Sequence, residues 1–329
     1  GGSNIIKWMN WLGYDALVPG VRDFDQGVKN LARLNEEAEF PFLAANLKGV
    51  DGIIPHKVLE FGNIKIGLIG LITPFISDGL LPENYEGVEI SPLIETLNDE
   101  VAELKNQVDL VFVLCHLGIP YDREIKYKKF IKKINEGESI EIKNAIELAH
   151  FTESVDMIIT GGFSKGYNTP WVDPNTHAIV VQNYGSLTGI GHLILNIDQD
   201  KKVIKDYSFP TDRGMLVNLF TDDVWADRAM ADTIKNWVDN AKKREDLDYS
   251  DKILSIENNN CNMQIKSTYN NYTIPKLGTN DNLEIMTWNM ERFPLDGVKT
   301  MEAIAEIIQD LDVDIIGVQE VIKIGDLDK

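Results

Sequence analysis

The stretch Val108-Asp-Leu-Val-Phe-Val-Leu-Cys115 decides the fold class, because it is an almost unbroken run of apolar, strand-forming residues. Strands that are apolar on both faces are typical of parallel sheets covered by helices. A similar run, Val155–Thr160, follows it along the chain. Upstream, Asn4–Leu12 and Gly27–Glu39 have the apolar spacing of amphipathic helices. This alternation of helices and strands predicts an α/β layered fold.

Further strands are predicted on either side of the central run. Residues His56–Phe61 and Lys65–Leu71 flank Gly62-Asn63, a dipeptide that favours a hairpin turn. The remaining predicted strands are short and lie at Asp15–Pro19, Phe42–Asn46, Ala178–Gln182 and His192–Asp198. The lysine-rich stretch Asp122–Lys143 is expected to be a solvated helical face rather than a basic binding patch, because acidic residues follow the lysines at once.

Composition limits the class of protein. The chain has 329 residues, which suggests about two domains. Its formal charge of −20 disfavours binding to nucleic acid phosphates unless metal ions or a local basic patch intervene. An apolar run long enough to span a membrane is absent from the sequence. Two cysteines, Cys115 and Cys261, cannot form a disulfide framework, and Cys115 is expected to be a small buried side chain.

The character of the chain changes after residue 212. Residues 213–250 are predicted to be helical, and residues 251–280 are rich in Asn and Tyr, as in a linker. From residue 281 to 329 a strand, a periodic helix and a second buried strand follow one another. This is the first β-α-β unit of a second α/β domain, which cannot close into a fold by itself.

Residues 1–212 also carry short motifs in a fixed order. They include Val21-Arg-Asp-Phe-Asp25, Leu114-Cys-His-Leu-Gly118 and Gly161-Gly-Phe-Ser-Lys165. In order and spacing these resemble the Gly-Asn-His-Glu-Phe-Asp, Ser-His-Leu-Gly and Gly-Gly-His-Ser-His motifs of the metallophosphatase/5'-nucleotidase (calcineurin-like phosphoesterase) family. The resemblance implies a four-layer α/β/β/α sandwich. We expect it to be incomplete at its N-terminus, since the family's first motif would precede Gly1.

The resemblance implies a divalent metal cofactor, Mn²⁺, Zn²⁺ or Mg²⁺, because the family's chemistry depends on two metal ions about 4 Å apart. His116 matches a metal-binding His, and Asp23 keeps an acidic position. However, Val21 replaces the metal-binding Asn, and Phe163 and Lys165 replace two imidazoles. Val and Phe offer no donor atom and an ammonium group repels a divalent cation. The pattern therefore predicts that ordinary two-metal binding is lost.

Two alternatives stay open at this site. Arg22 stands where the family has the His that stabilises the transition state, and Arg cannot shuttle a proton. Arg22 and Lys165 could together bind phosphate, or both could be tolerated surface charges. His116 could be a former metal ligand, or a packed residue whose ring nitrogens are satisfied by backbone.

A second resemblance begins at residue 281. Met286-Thr-Trp-Asn289 and Asp314-Ile-Ile-Gly-Val-Gln-Glu320 end the two predicted strands of this unit. They resemble the start of the endonuclease/exonuclease/phosphatase superfamily, which includes Mg²⁺-dependent nucleases and phosphodiesterases. By this resemblance Glu320 would bind the catalytic Mg²⁺, and Asn289 would orient the metal and the phosphate.

Together these features favour an internal fragment of a larger two-domain phosphoesterase-like protein. In the preferred hypothesis, residues 1–212 serve binding or architecture, while hydrolysis takes place in the second domain. In the alternative, the first domain hydrolyses phosphoesters through an altered metal site that includes His116 and Asp23. Resemblance implies a periplasmic or secreted location. It also implies a phosphate-containing small molecule or nucleic acid as partner of the second domain, and leaves the oligomeric state open.

Overall fold

The structure is a computed structural model that describes residues 2–77, 80–163, 165–185, 189–218, 227–242, 285–289 and 315–319. The helices of this part are α1 (Ser3–Leu12), α2 (Val28–Glu37), α3 (Leu93–Leu104), α4 (Arg123–Asn135), α5 (Ala145–His150) and α6 (Arg228–Lys242). Short 3-10 turns span Val21–Phe24 and Pro82–Asn84. The strands are β1 (Leu47–Lys48), β2 (His56–Phe61), β3 (Ile64–Leu71), β4 (Glu89–Ile90), β5 (Leu110–Cys115), β6 (Met157–Thr160), β7 (Trp171–Val172), β8 (Ile179–Gln182), β9 (Gly189–Gly191), β10 (Ile194–Asp198), β11 (Val203–Ser208), β12 (Leu216–Asn218), β13 (Ile285–Asn289) and β14 (Ile315–Gln319).

A six-stranded mixed sheet with the order β2-β3-β5-β6-β8-β7 organises the first unit. Its four central strands, β3, β5, β6 and β8, run parallel to one another. The outer strands β2 and β7 are antiparallel to their neighbours. The β2–β3 pair is the predicted hairpin, with Gly62 in a left-handed conformation at its turn.

Both faces of this sheet are covered, which is why its central parallel strands are largely apolar. Along β5, Val111 and Val113 pack in a core that also contains apolar residues of α3, α4 and α5. Their neighbours Leu110 and Phe112 pack in a second core, against the β10–β11 hairpin. Alternate residues of a strand point to opposite faces, so one apolar run supplies both cores. The predicted α/β sandwich architecture is confirmed.

A third core fixes the loop that precedes α2. Phe24, at the end of the 3-10 turn, is fully buried with Leu31 of α2 and with Phe42. Helix α1 ends at Gly13, whose left-handed conformation lets its amide bond back to the helix, as the sequence predicts. These contacts hold the Val21–Phe24 turn beside the main sheet.

Several predicted elements differ in the structure. Asp15–Pro19 and Phe42–Asn46 form only isolated bridges, Leu17 with Phe42 and Leu43 with Ile54. The segment 213–250, predicted to be helical, begins instead with strand β12, which pairs with β9. Only its later part, α6, is helical among the described residues. Local apolar spacing cannot reveal a short strand whose partner lies more than twenty residues away.

The predicted charged face on α4 is confirmed. Tyr127 and Phe130 are buried, while Lys132 and Lys133 of the last turn lie exposed beside acidic residues. None of the helices in the described part of the chain is long and apolar enough to cross a membrane.

The chain divides into two compact units, Gly1–Lys243 and Arg244–Lys329. In the second unit β13 and β14 pair in parallel, with Asn289 opposite Gln319. A parallel pair requires a crossover between its strands, in agreement with the predicted strand–helix–strand unit. The predicted linker 251–280, the predicted helix between these strands and Glu320 lie outside the described residues.

Candidate functional site

The carboxyl ends of the parallel strands meet along one edge of the main sheet. In register, Leu71 of β3 lies beside Cys115 of β5, Cys115 beside Thr160 of β6, and Thr160 beside Gln182 of β8. His116 is the next residue after Cys115 and so stands on this edge. Parallel α/β sheets place their ligands outside the carboxyl ends of their strands, which makes this edge the candidate site.

His116 is held against the chain that precedes the 3-10 turn. Its amide donates to the Leu71 carbonyl at 3.1 Å, which continues the ladder between β3 and β5. Its ring lies directly over Gly20, where a Cβ atom would stand 2.6 Å from Nε2. Only a glycine allows this approach. Burial lowers the pKa of His116, and the negative charge of Asp23 offsets part of that effect.

Asp23 is the second residue that the site retains. One carboxylate oxygen accepts a hydrogen bond of 2.7 Å from the Gly20 amide. The residue as a whole is solvent-exposed, but this oxygen faces inward. Desolvation of the carboxyl raises the pKa of Asp23, whereas the Gly20 amide and His116 lower it. Asp23 and His116 both lie beside Gly20, and their role as metal ligands stays a prediction.

Phe163 and Lys165, on the loop after β6, are engaged in packing contacts. The Phe163 ring lies against Gly118, where a Cβ would stand 2.4 Å from Cδ2. Lys165 donates from Nζ to the Tyr121 carbonyl at 3.2 Å. The same ammonium group lies 5.4 Å from the centre of the Tyr121 ring and 4.9 Å from that of Tyr167. Neither residue supplies a metal ligand.

Two buried polar side chains, which the sequence motifs did not single out, hold these loops in place. Thr160 Oγ1 accepts a hydrogen bond of 2.9 Å from the Gly118 amide. Gln182 Oε1 accepts one of 2.6 Å from the Ile119 amide, while its Nε2 donates to the carbonyls of Phe163 and Lys165. Each of these residues is the polar end of an otherwise apolar strand. This change from apolar to polar is a signal that could have identified both residues in the sequence.

The structure gives separate neighbours to the two cations that were predicted to share an anion. Arg22 has an 85% exposed side chain and lies 3.5 Å from Asp25. Lys165 instead lies among the tyrosine rings described above. Joint phosphate binding by Arg22 and Lys165 stays a prediction.

The donor atoms at this edge do not fit the family's two-metal centre. His116 and Asp23 contribute one imidazole and one carboxylate, but Val21, Phe163 and Lys165 contribute none. Across the described ranges, three or more His, Cys, Asp or Glu side chains nowhere come together as a metal ion requires. In the second unit Asn289 ends β13, and Glu320 follows the last residue of β14.

A cavity of about 300 Å³ lies behind the strand ends, on the face that carries the β10–β11 hairpin. Apolar side chains such as Met157, Val181 and Met215 form most of its wall, with Gln182 and Asn183 at its polar end. Backbone groups already engage both ends of the Gln182 amide. The cavity therefore presents little free hydrogen-bonding capacity.

Comparison of the sequence with known proteins identifies relatives of this chain. No protein-family model matches the chain. The chain is 34% identical to human 5'-nucleotidase over 140 residues, which cover 39% of this chain and 24% of the human protein. It is 31% identical over 172 residues to the trifunctional nucleotide phosphoesterase protein YfkN of Bacillus subtilis (strain 168), covering 48% of this chain and 11% of YfkN. The matches thus span a quarter or less of these relatives.

A solved structure extends the comparison to the fold. The calcineurin-like phosphoesterase YfkN from Bacillus subtilis superposes with a TM-score of 0.56 at 22% identity, covering 72% of this chain and 73% of that one. The described chain thus has the fold of the metallophosphoesterase domain of 5'-nucleotidases. By sequence, the chain is homologous to 5'-nucleotidases and calcineurin-like phosphoesterases, which are metal-dependent enzymes.

Proposed function

We propose that residues 1–212 are a non-catalytic module of a phosphoesterase-like protein, with a binding or architectural role. The observation that supports this most directly is the engagement of Phe163 and Lys165 in packing contacts at the strand ends. A two-metal phosphoesterase needs several donors on that edge, and these positions supply an apolar ring and a competing cation. The homologous fold would then serve as a scaffold rather than as a hydrolase.

Hydrolysis by the protein is proposed to lie in the domain that begins near residue 281, of the endonuclease/exonuclease/phosphatase type. Asn289 and Gln319 are opposite each other at the carboxyl ends of parallel strands, and Glu320 is the next residue in the sequence. This placement suits a shared Mg²⁺ site that contacts phosphate. The proposed partners are a phosphate-containing small molecule or a nucleic acid, and the proposed location is periplasmic or secreted.

The alternative function rests on His116 and Asp23. Both side chains lie beside Gly20, since the Asp23 carboxylate accepts from the Gly20 amide and the His116 ring packs against Gly20. A single metal ion held by both, with water completing its coordination, would give the first domain an altered hydrolytic site. This alternative predicts metal-dependent turnover that depends on His116.

Metal titration of the full 329-residue chain separates these functions. Mn²⁺ and Mg²⁺ binding would be measured by calorimetry on the unmodified chain and on the variants His116→Ala and Glu320→Gln. Hydrolysis of a nucleoside monophosphate and of a phosphodiester would be followed in parallel. We expect His116→Ala to leave both metal binding and turnover unchanged.

Each other outcome has a definite meaning. Metal binding that disappears in Glu320→Gln and persists in His116→Ala supports the second domain as the metal site. Binding and turnover that both disappear in His116→Ala contradict the proposed function and establish the alternative. An exposed His, such as His192, provides the matched control for unspecific loss of an imidazole.

A further inference from the structure

Lys165 joins two loops that lie far apart in sequence. From the loop after β6, its ammonium group reaches the loop after β5, where Nζ donates to the Tyr121 carbonyl at 3.2 Å. It also stands 5.4 Å from the centre of the Tyr121 ring and 4.9 Å from the centre of the Tyr167 ring. A carbonyl oxygen and two π faces are electron-rich groups that attract a monovalent organic cation.

Tyr167 strengthens the same junction. Its hydroxyl donates to the carbonyls of Pro120 and Tyr121. Burial raises the pKa of Tyr167, so its hydroxyl stays protonated and keeps its role as donor. The guanidinium of Arg123 lies 4.6 Å from the centre of the Tyr167 ring. The ring thus contacts two cations, and its hydroxyl faces the loop that Lys165 also contacts.

The charge and position of Lys165 resemble those of a bound metal ion in one respect. A metal ion joins ligands from separate loops by its positive charge, and Lys165 joins separate loops by the same means. The groups around it differ, because carbonyl oxygen and aromatic faces suit an ammonium group, whereas a divalent ion prefers carboxylate and imidazole ligands. An ammonium group on this edge also repels a divalent cation.

We propose that Lys165 is a resident cation that fastens the 118–121 loop to residues 165–167, at a position where the family resemblance implies an imidazole. This inference rests on the proposed function in one respect, namely that no metal ion joins these loops. In this proposal Lys165 positions the two loops, and the carboxyl edge of the main sheet is stable without a metal ion.

Thermal unfolding and amide hydrogen exchange of the full chain test the proposal. Lys165→Met keeps the length of the side chain and removes the cation, whereas Lys165→Arg keeps a cation that stacks on aromatic rings. Lys132→Met is the control, since Lys132 is 73% exposed and its ion pair is with Glu136, the residue that follows its own helix. We expect Lys165→Met to lower the Tm by about 3–6 °C and to speed exchange in residues 118–121 about tenfold.

The controls decide between a specific and a general effect. Lys165→Arg should retain protection of the 118–121 loop, and Lys132→Met should match the unmodified chain. Equal Tm and equal exchange in Lys165→Met and Lys132→Met would overturn the proposal. Faster exchange across the whole domain without preference for residues 118–121 would also overturn it, because the loss would then not be local.

A double variant keeps this test distinct from that of the proposed function. Made in the Glu320→Gln background, Phe163→His/Lys165→His removes the cation and introduces two imidazoles, so Mn²⁺ should raise its Tm, while Glu320→Gln alone should respond to neither Mn²⁺ nor EDTA. If EDTA lowers the Tm of Glu320→Gln as much as that of the unmodified chain, a metal ion stabilises the chain without the second-domain site and the proposed function fails. If Glu320→Gln is insensitive to EDTA but Lys165→Met behaves like Lys132→Met, only the present inference fails.

Discussion

At both the amino and the carboxyl edge of the main sheet, backbone amides donate hydrogen bonds to side chains, but the chemical type of these side chains differs. At the amino edge, the Asp109 carboxylate accepts from the Lys65 amide at 2.8 Å, and the Asp156 carboxylate accepts from the Val111 amide at 2.8 Å. The hydrogen bond from Lys65 holds the pKa of Asp109 below its usual range. Burial instead raises the pKa of Asp156. This edge therefore depends on ionisable groups.

The carboxyl edge uses neutral groups for the same task. Thr160 and Gln182 accept from loop amides, and Gln182 also donates to loop carbonyls. Neutral side chains cannot hold a divalent cation as carboxylates do. The comparison teaches that the strand ends where α/β sheets usually bind ligands here hold their own loops through neutral Thr160 and Gln182, while the amino edge uses the carboxylates of Asp109 and Asp156.

The largest expected effect comes from breaking the carboxyl edge at Gln182. Gln182→Ala leaves one buried amide and two carbonyls without their partner, so we expect a loss of about 4 kcal/mol in the free energy of unfolding. Urea unfolding of the full chain measures this. Gln107→Ala is the control, because Gln107 is exposed and bonds only to Glu103 one turn away. Similar losses in both variants would mean that the Gln182 hydrogen bonds contribute little.

A smaller effect is expected from a substitution at Gly20, which precedes the 3-10 turn and packs against His116. Gly20→Ala places a Cβ 2.6 Å from His116 Nε2, so the ring must move, at a cost of about 1–3 kcal/mol. The NMR signals of the His116 ring and urea unfolding report both consequences. Gly161→Ala is the matched control, since a Cβ there meets nothing within 4 Å. An unmoved His116 signal in Gly20→Ala would contradict the packing described for this site.

The pH dependence of stability should distinguish the two edges. The folded pKa of Asp156 is raised by burial, so the folded chain binds this proton more tightly than the unfolded chain. Its contribution to stability is therefore greatest at low pH and declines as pH rises through the raised folded pKa. Asp156→Asn should lack this decline and gain stability relative to the unmodified chain as pH rises.

Thr160→Val provides the comparison at the carboxyl edge. Its effect on the free energy of unfolding should be the same at low pH and at pH values above the folded pKa of Asp156, because Thr160 does not ionise. If the free energy of unfolding depends on pH in the same way for Asp156→Asn and the unmodified chain, Asp156 has the same pKa in the folded and unfolded states. The assignment of pH sensitivity to the amino edge would then be wrong.

The smallest effect is expected for alkylation of Cys115, which should not react in the folded chain. Burial raises the pKa of the Cys115 thiol to about 12, so little thiolate is present near pH 8. In a Cys261→Ser variant, iodoacetamide should leave the folded chain unmodified and alkylate it in urea. Mass spectrometry measures the product. Alkylation of the folded chain would mean that the carboxyl edge opens readily to solvent.

Much of the fold could be predicted from the sequence because the relevant signals are local. Runs such as Leu110–Cys115 are apolar on both faces, and this pattern alone indicates buried strands. Strand β12 was missed because three residues carry no periodicity, and its pairing depends on β9. Helix α3, Leu93–Leu104, was not among the predicted elements, although its buried leucines have helical spacing.

The candidate site was only partly predictable for a related reason. His116 could be placed on the strand ends because its motif follows an obvious strand. The replacement of two imidazoles by Phe163 and Lys165 was also visible in the sequence. What these side chains contact was not, because the acceptor of Lys165 is a backbone carbonyl 44 residues away. Backbone groups are common to every residue and leave no signature in a sequence.

That same fact has a consequence for how this protein could have diverged from its relatives. Gln182 holds the loop after β6 through the carbonyls of residues 163 and 165, which any amino acid would provide. Mutations can therefore exchange the side chains at both positions while these two hydrogen bonds to the main chain remain. The main-chain anchoring of these residues therefore makes positions 163 and 165 freer to diverge than position 182.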